Sequence, residues 1–215
     1  FLLPVSAWGN DFFGDLELLG QGRENQQGQR ETPFNGYLSG GLNTSDKLSG
    51  TADMRFFRDL SRSLDDYDLY QARLRFRPLE KLEIHLGRQF LNEGFSTEII
   101  DGLKTSLFPD KPWEVTAYSG VPRSVEVGDF NDDDGLLTGL AVGFSGSTGT
   151  SARLAAAWRK NEAGEGNLRQ NDAVRLGLHL SHQVRMSGSP LLYGLTEFDA
   201  TGRQVEAATA GLDLY

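Results

Sequence analysis

The sequence predicts an all-β chain: an up-and-down antiparallel transmembrane β-barrel of at least about twelve strands, itself part of a larger barrel. Three observations lead there. Apolar and polar residues alternate in pieces of roughly ten residues, separated by Gly, Pro, Asn, Asp and Ser clusters. Short and long connections between these pieces take turns along the chain, which suits a barrel with short turns at one rim and longer loops at the other. No run approaches the roughly 18 apolar residues a transmembrane helix needs, whereas a half-polar strand leaves hydropathy low.

The expected strands are 12–22, 35–43, 47–60, 67–77, 82–90, 98–107, 113–120, 136–145, 151–160, 172–184, 191–199 and 204–215. The tight connections read NTSDK (43–47), RPLEK (77–81), FPDKP (108–112), SGSTGT (145–150) and RMSGSP (185–190). Between them stand RENQQGQRETPF (23–34), SRSLDD (61–66), LNEGFST (91–97), VPRSVEVGDFNDDD (121–134) and NEAGEGNLRQN (161–171). Greek-key crossings give no reason for such an alternation.

The faces agree. Leu74 and Phe76, with Ala72 and Tyr70, are set against Arg73, Arg75 and Arg77; Leu82, Ile84 and Leu86 are set against Glu83 and His85. Val174, Leu176, Leu178 and Leu180 alternate with Arg175, Gly177, His179 and Ser181. An aliphatic face suits lipid and an Arg, His, Ser and Gly face suits a wet lumen. Phe56, Phe57, Tyr67, Phe90, Phe108, Trp113, Phe144 and Trp158 fall near strand ends, where interfacial girdles belong.

Composition narrows the function. The 215 residues are expected to form one β-barrel domain, 1–215, or a fragment of one. With 21 basic and 30 acidic residues the net charge is −9, which argues against nucleic acid as a partner. There is no cysteine, so disulfides, thiolate metal sites and Cys nucleophiles are excluded. Phe1 reads as a processed or truncated start, with no recognisable signal peptide.

The alternation, the turn-and-loop rhythm and the segment LEIHLGRQFLNEGFSTEIIDGL (82–103) together resemble Gram-negative outer-membrane porins, and alginate-export-type barrels among them. The elements that carry the resemblance are Gly87-Arg88-Gln89 before a loop and Asp101-Gly102 after it. It implies an outer-membrane location and contact with the lipid bilayer and lipopolysaccharide. One feature departs from it: Tyr215 alternates with Asp213, Gly211 and Thr209, while Leu214, Leu212, Ala210 and Ala208 form the apolar face. The expected barrel end therefore lies beyond residue 215.

The pore-lining candidates are Arg73, Arg75, Arg77, Glu83, His85, Arg88 and Arg175. A five-residue turn at 77–81 places Phe76 opposite Leu82, Arg75 opposite Glu83 and Arg73 opposite His85. The arginines form either an anion-attracting ladder or ordinary lumen charges neutralised by Glu83, Glu114 and Asp101; the second is preferred. Loop 91–97 is the place for an inward fold that narrows the pore. Asp129, Asn131 and Asp133 have the one-three-five spacing of a calcium loop, but the glycine is one place late and Leu140 stands where the closing Glu belongs. That loop reads as a solvated acidic segment with a weak capacity for a divalent cation, and no other cofactor is expected.

No enzyme is expected. His85, His179 and His182 contain no HExxH pair. His179-Leu180-Ser181 is similar to the His-x-Ser pair of outer-membrane phospholipase A, yet both residues share the polar face with Arg175 and His182 stands in place of the following Asn. The expectation is a porin-like passage for small polar or charged solutes. Its alternative is a scaffold or sheath around a partner protein inside or beside the barrel, and a soluble surface β-protein comes third.

Overall fold

A computed structural model describes residues 11–20, 22–24, 30–59, 64–95, 97–123, 135–161, 172–183 and 190–213. The described chain is all β. Its strands are β1 (Asp11–Gly20), β2 (Arg23–Glu24), β3 (Arg30–Glu31), β4 (Pro33–Ser45), β5 (Leu48–Asp59), β6 (Leu64–Leu79) and β7 (Leu82–Leu91). They continue as β8 (Glu98–Leu107), β9 (Trp113–Arg123), β10 (Gly135–Ser145), β11 (Thr150–Asn161), β12 (Ala173–Gln183), β13 (Leu191–Asp199) and β14 (Gln204–Asp213). Strands β2 and β3 pair as a small ribbon in the β1–β4 connection; the other 12 form one sheet in sequence order, each antiparallel to the next. The twelve strands expected from the alternation are these twelve. The sheet is not closed: β1 pairs with β4 alone and β14 with β13 alone. Among the described residues no helix is long and apolar enough to cross a membrane.

The connections follow the expected rhythm with two corrections. At one rim Asp46-Lys47 and Glu80-Lys81 close two-residue turns, and 108–112 and 146–149 are short. At the other, 124–134 and 162–172 are long, but β13–β14 is a four-residue turn at 200–203 and only 60–63 separates β5 from β6.

The β6–β7 register also differs from expectation. Phe76 pairs with Ile84, Arg75 with His85 and Arg73 with Gly87, with an irregularity between Phe76 and Leu79. Pro78 offers no N–H to the ladder, and the turn tightens to Glu80-Lys81 while β6 absorbs the surplus in a bulge. The shift is even, so each residue keeps its face. A second bulge at Asp53/Met54 leaves Tyr70 without a cross-strand partner and interrupts the alternation expected for it.

The sheet has an inverted polarity. Leu74, Leu86, Leu103, Leu140, Leu154, Leu176 and Leu178 are all exposed, Leu154 by 61%. On the opposite face of the same sheet His85, Ser106, Thr116, Ala141 and Ala155 are all buried. Water-soluble sheets bury the aliphatic face and expose the polar one. Here the aliphatic face points out.

What covers the polar face is the curl of the sheet and the 92–97 connection. Gly94 lies three residues beyond the end of β7, a reach of about 10 Å. It sits against Ala155 of β11, and a side chain at Gly177 of β12 would run into its carbonyl oxygen. Along the sheet, β7 and β12 are five neighbour steps apart, about 24 Å at the usual strand spacing. The loop thus spans a chord and the polar face is concave. Under it Leu91, Ile100, Tyr118, Leu137 and Ala157 form a small apolar cluster with Phe95 packed against it.

Glycine permits the close strand approach in this bend. Gly87, Gly102 and Gly120 are register partners across β7, β8 and β9, and Gly87 adopts φ 105°. A Cβ on Gly102 would lie 2.5 Å from Gly120 Cα and collide with the Ser119 carbonyl oxygen. Gly102→Ala is therefore expected to destabilise the folded state by about 2 kcal/mol or more, read as a lower urea midpoint. Gly50→Ala, whose added Cβ meets nothing nearer than 3.7 Å, should be tolerated.

Candidate functional site

The concave face holds a network of charged side chains organised around the 92–97 loop. Its centre is Glu93, 1% exposed. Lys104 Nζ on β8 lies 2.5 Å from Glu93 Oε1, and the Arg153 guanidinium on β11 donates to Oε2. Arg153 also donates to Glu114 Oε2 on β9 at 2.8 Å, and Thr116 donates to Oε1 of the same Glu114 at 3.2 Å. A buried carboxylate is stable only when paired and hydrogen-bonded; two cations from different strands satisfy this one. The loop is thereby fastened to the wall opposite its root.

A second fastening lies one strand further. Arg175 on β12 donates to Glu98 Oε1 at 2.5 Å, with Glu197 at 4.0 Å, and its guanidinium stands 5.7 Å from the Phe95 ring centroid. Phe95 is held between this cation and the apolar cluster, which anchors the loop tip by cation–π and burial together. Beside the loop a polar cavity of about 350 Å³ opens between Asn92, Lys111, Glu114, Ser151, Arg153 and His179.

The hairpin of alternating arginines lies on the same face. Arg75 donates through Nε to Glu83 Oε2 at 2.8 Å, and Glu83 Oε1 lies 2.7 Å from His85 Nε2. Arg77 is drawn to the turn rim, where it bonds the Glu80 carbonyl oxygen at 3.0 Å and the Asp110 carboxylate. Arg73 keeps an Nε with no hydrogen-bond partner, and no described ion pair involves it. Of the three acids expected to neutralise the row only Glu83 does so; Glu114 serves Arg153, and Asp101 serves Arg88 and Arg123.

Arg88 stands apart from the other candidates. It pairs in register with Asp101, two residues along from the Leu86–Leu103 pair, so it shares the outer, aliphatic face. There its Nε and Nη2 grip Asp101 bidentately at 2.7 Å each, and Arg123 donates to the same carboxylate at 2.8 Å. Ser181 bonds Ser151 at 2.6 Å and His182 bonds Thr150 at 2.9 Å. Asp129, Asn131, Asp133 and Tyr215 lie outside the described residues. Among the described residues no group of three or more His, Asp or Glu side chains is placed to hold a metal.

Glu93, Lys104, Arg153, Glu98 and Phe95 were not legible as site residues. Their partners lie up to 77 positions apart in sequence, and one sequence without register carries no signal for such pairs. No protein-family model matches the chain, and no curated protein matches it.

Proposed function

We propose that the chain forms the wall of an outer-membrane β-barrel that passes small polar solutes along its concave face. The observation that carries this reading is the inverted polarity: exposed leucines in mid-strand outside, paired charges inside. Several further features support it. Exposed aromatics gather towards the strand ends, with Phe12, Phe13, Phe76, Phe108 and Trp113 at the short-turn rim and Phe90 and Trp158 at the other. The hydroxyls that interrupt the outer belt at Ser119 and Thr138 bond one another at 2.9 Å, as lipid exposure demands. In this reading the edges of β1 and β14 are paired in the bilayer, since a free edge cannot stand in hydrocarbon. The fastened loop narrows the passage and its charges set the local field.

Purified protein reconstituted in a planar bilayer should give single-channel conductance. Monodisperse protein in detergent-free buffer would sink the membrane reading, and a folded barrel that never conducts would point to the sheath instead. The same recordings test the arginines. Arg73→Glu should move the reversal potential towards cations more than Arg77→Glu, because Arg77 is already compensated by Asp110 at the rim. Equal or absent shifts would remove the row from the permeation path.

A further inference from the structure

We propose that a groove at the short-turn rim binds the phosphoethanolamine headgroup of a phospholipid; this rests on the membrane reading above. The groove, about 690 Å³, runs between three successive turns and carries Lys47, Lys81 and Lys111. The turns are tied to one another by backbone hydrogen bonds, Arg77 N–H to Lys47 O at 2.7 Å and Phe108 N–H to Lys81 O at 2.8 Å. The groove is therefore a fixed feature of the rim.

Two properties select the ligand. The first is position. Leu79 and Phe108, 64% and 41% exposed, line the groove, and Leu107, 43% exposed, carries the apolar surface from Phe108 into the outer belt. A ligand here has an apolar part beside the belt and a polar part among the turns, which describes a lipid at the interface. The second is the mixture of charge. Arg77 and Asp110 pair with each other, which leaves the three lysines facing Asp46 and Glu80. Among the described residues these five enter no ion pair.

A phosphate accepts from several ammonium groups, and a primary ammonium donates to carboxylates. Phosphoethanolamine brings both. Phosphocholine brings the phosphate but no N–H donor, and phosphoglycerol brings no cation, so Asp46 and Glu80 would face a like charge. The groove accordingly discriminates in favour of the zwitterion with N–H groups.

Trp113 reports on the site: it opens β9 directly after the 108–112 turn and is 61% exposed. In a chain carrying Trp8→Phe and Trp158→Phe, its fluorescence is quenched by brominated lipids diluted into phosphatidylcholine vesicles. Brominated phosphatidylethanolamine should show a relative association constant roughly fivefold that of brominated phosphatidylcholine, the factor that one net hydrogen bond from the ammonium to a carboxylate supplies. Glu80→Gln should bring that ratio towards one, whereas Lys81→Gln with Lys111→Gln should weaken the association of both lipids and leave the ratio in place. Equal quenching by all headgroups, or phosphatidylglycerol at or above phosphatidylethanolamine, overturns the proposal while leaving the membrane reading intact. No quenching by any brominated lipid overturns the membrane reading itself.

Discussion

Glu93→Lys is expected to release the 92–97 loop from the concave wall, raise single-channel conductance and lower stability together. The substitution places a third cation between Lys104 and Arg153 at a position 1% exposed. Breaking a buried pair by removing one partner costs about 3–5 kcal/mol, and the low end applies where water reaches the partners. Lys104 and Arg153 keep 20% and 23% of their side chains exposed, so a loss of about 3 kcal/mol is expected. Glu93→Gln should lose less, because the amide oxygen still accepts one hydrogen bond.

The charge swap Glu93→Lys with Lys104→Glu separates the pair from its surroundings. Part of the lost stability should return, and the double-mutant coupling measures the direct interaction. Conductance provides the functional readout. If urea midpoints fall as expected but conductance stays at the parent value in Glu93→Lys, the loop does not lie across the permeation path. A midpoint unchanged within error would instead remove the ion-pair account of how the loop is held.

The outcome also bears on how much a single sequence can convey. Period-two alternation located all twelve strands of the sheet because alternation is local: Val174 to Ser181 states its two faces within eight residues. The face of each arginine in the β6 row was legible for the same reason. Their partners were not. The turn after β6 depended on how Pro78 would be accommodated, and the bulge that absorbed it moved Arg75 from Glu83 to His85 in register. Arg75 still reached Glu83 diagonally, since a guanidinium spans the neighbouring position. Arg88 was misplaced by a different route. Alternation puts it on the outer face with Leu86 and Phe90, and Asp101 and Arg123 make that position tenable for a cation. The inward course of 91–97 was expected from its place after Gly-Arg-Gln. The anchors Glu93 and Phe95 depend on the curl of the sheet, which brings Arg153 of β11 and Arg175 of β12 within reach of the connection after β7.

The second large effect separates the membrane reading from a soluble one on a single strand. Leu74→Arg on β6 should cost about 2–4 kcal/mol of folding stability in lipid, the range for a cation facing the bilayer midplane. Gln71→Lys, three residues away, faces the concave side with Arg73 and gives up only a 3.3 Å hydrogen bond to Thr51. It should change stability by less than about 1 kcal/mol. In water the expectation for Leu74 reverses. A leucine 45% exposed on a soluble surface tolerates arginine within about 0.5 kcal/mol, as surface substitutions generally do. The measurement is urea titration of folding into phosphatidylcholine vesicles, followed by the gel mobility of unheated samples. A Leu74→Arg midpoint equal to that of Gln71→Lys would mean the exposed leucines face something other than lipid, and the polarity argument for the barrel would fail with it. A selective loss at Leu74 would tie the outward leucines to the bilayer and leave the arginines of the same strand to the passage they line.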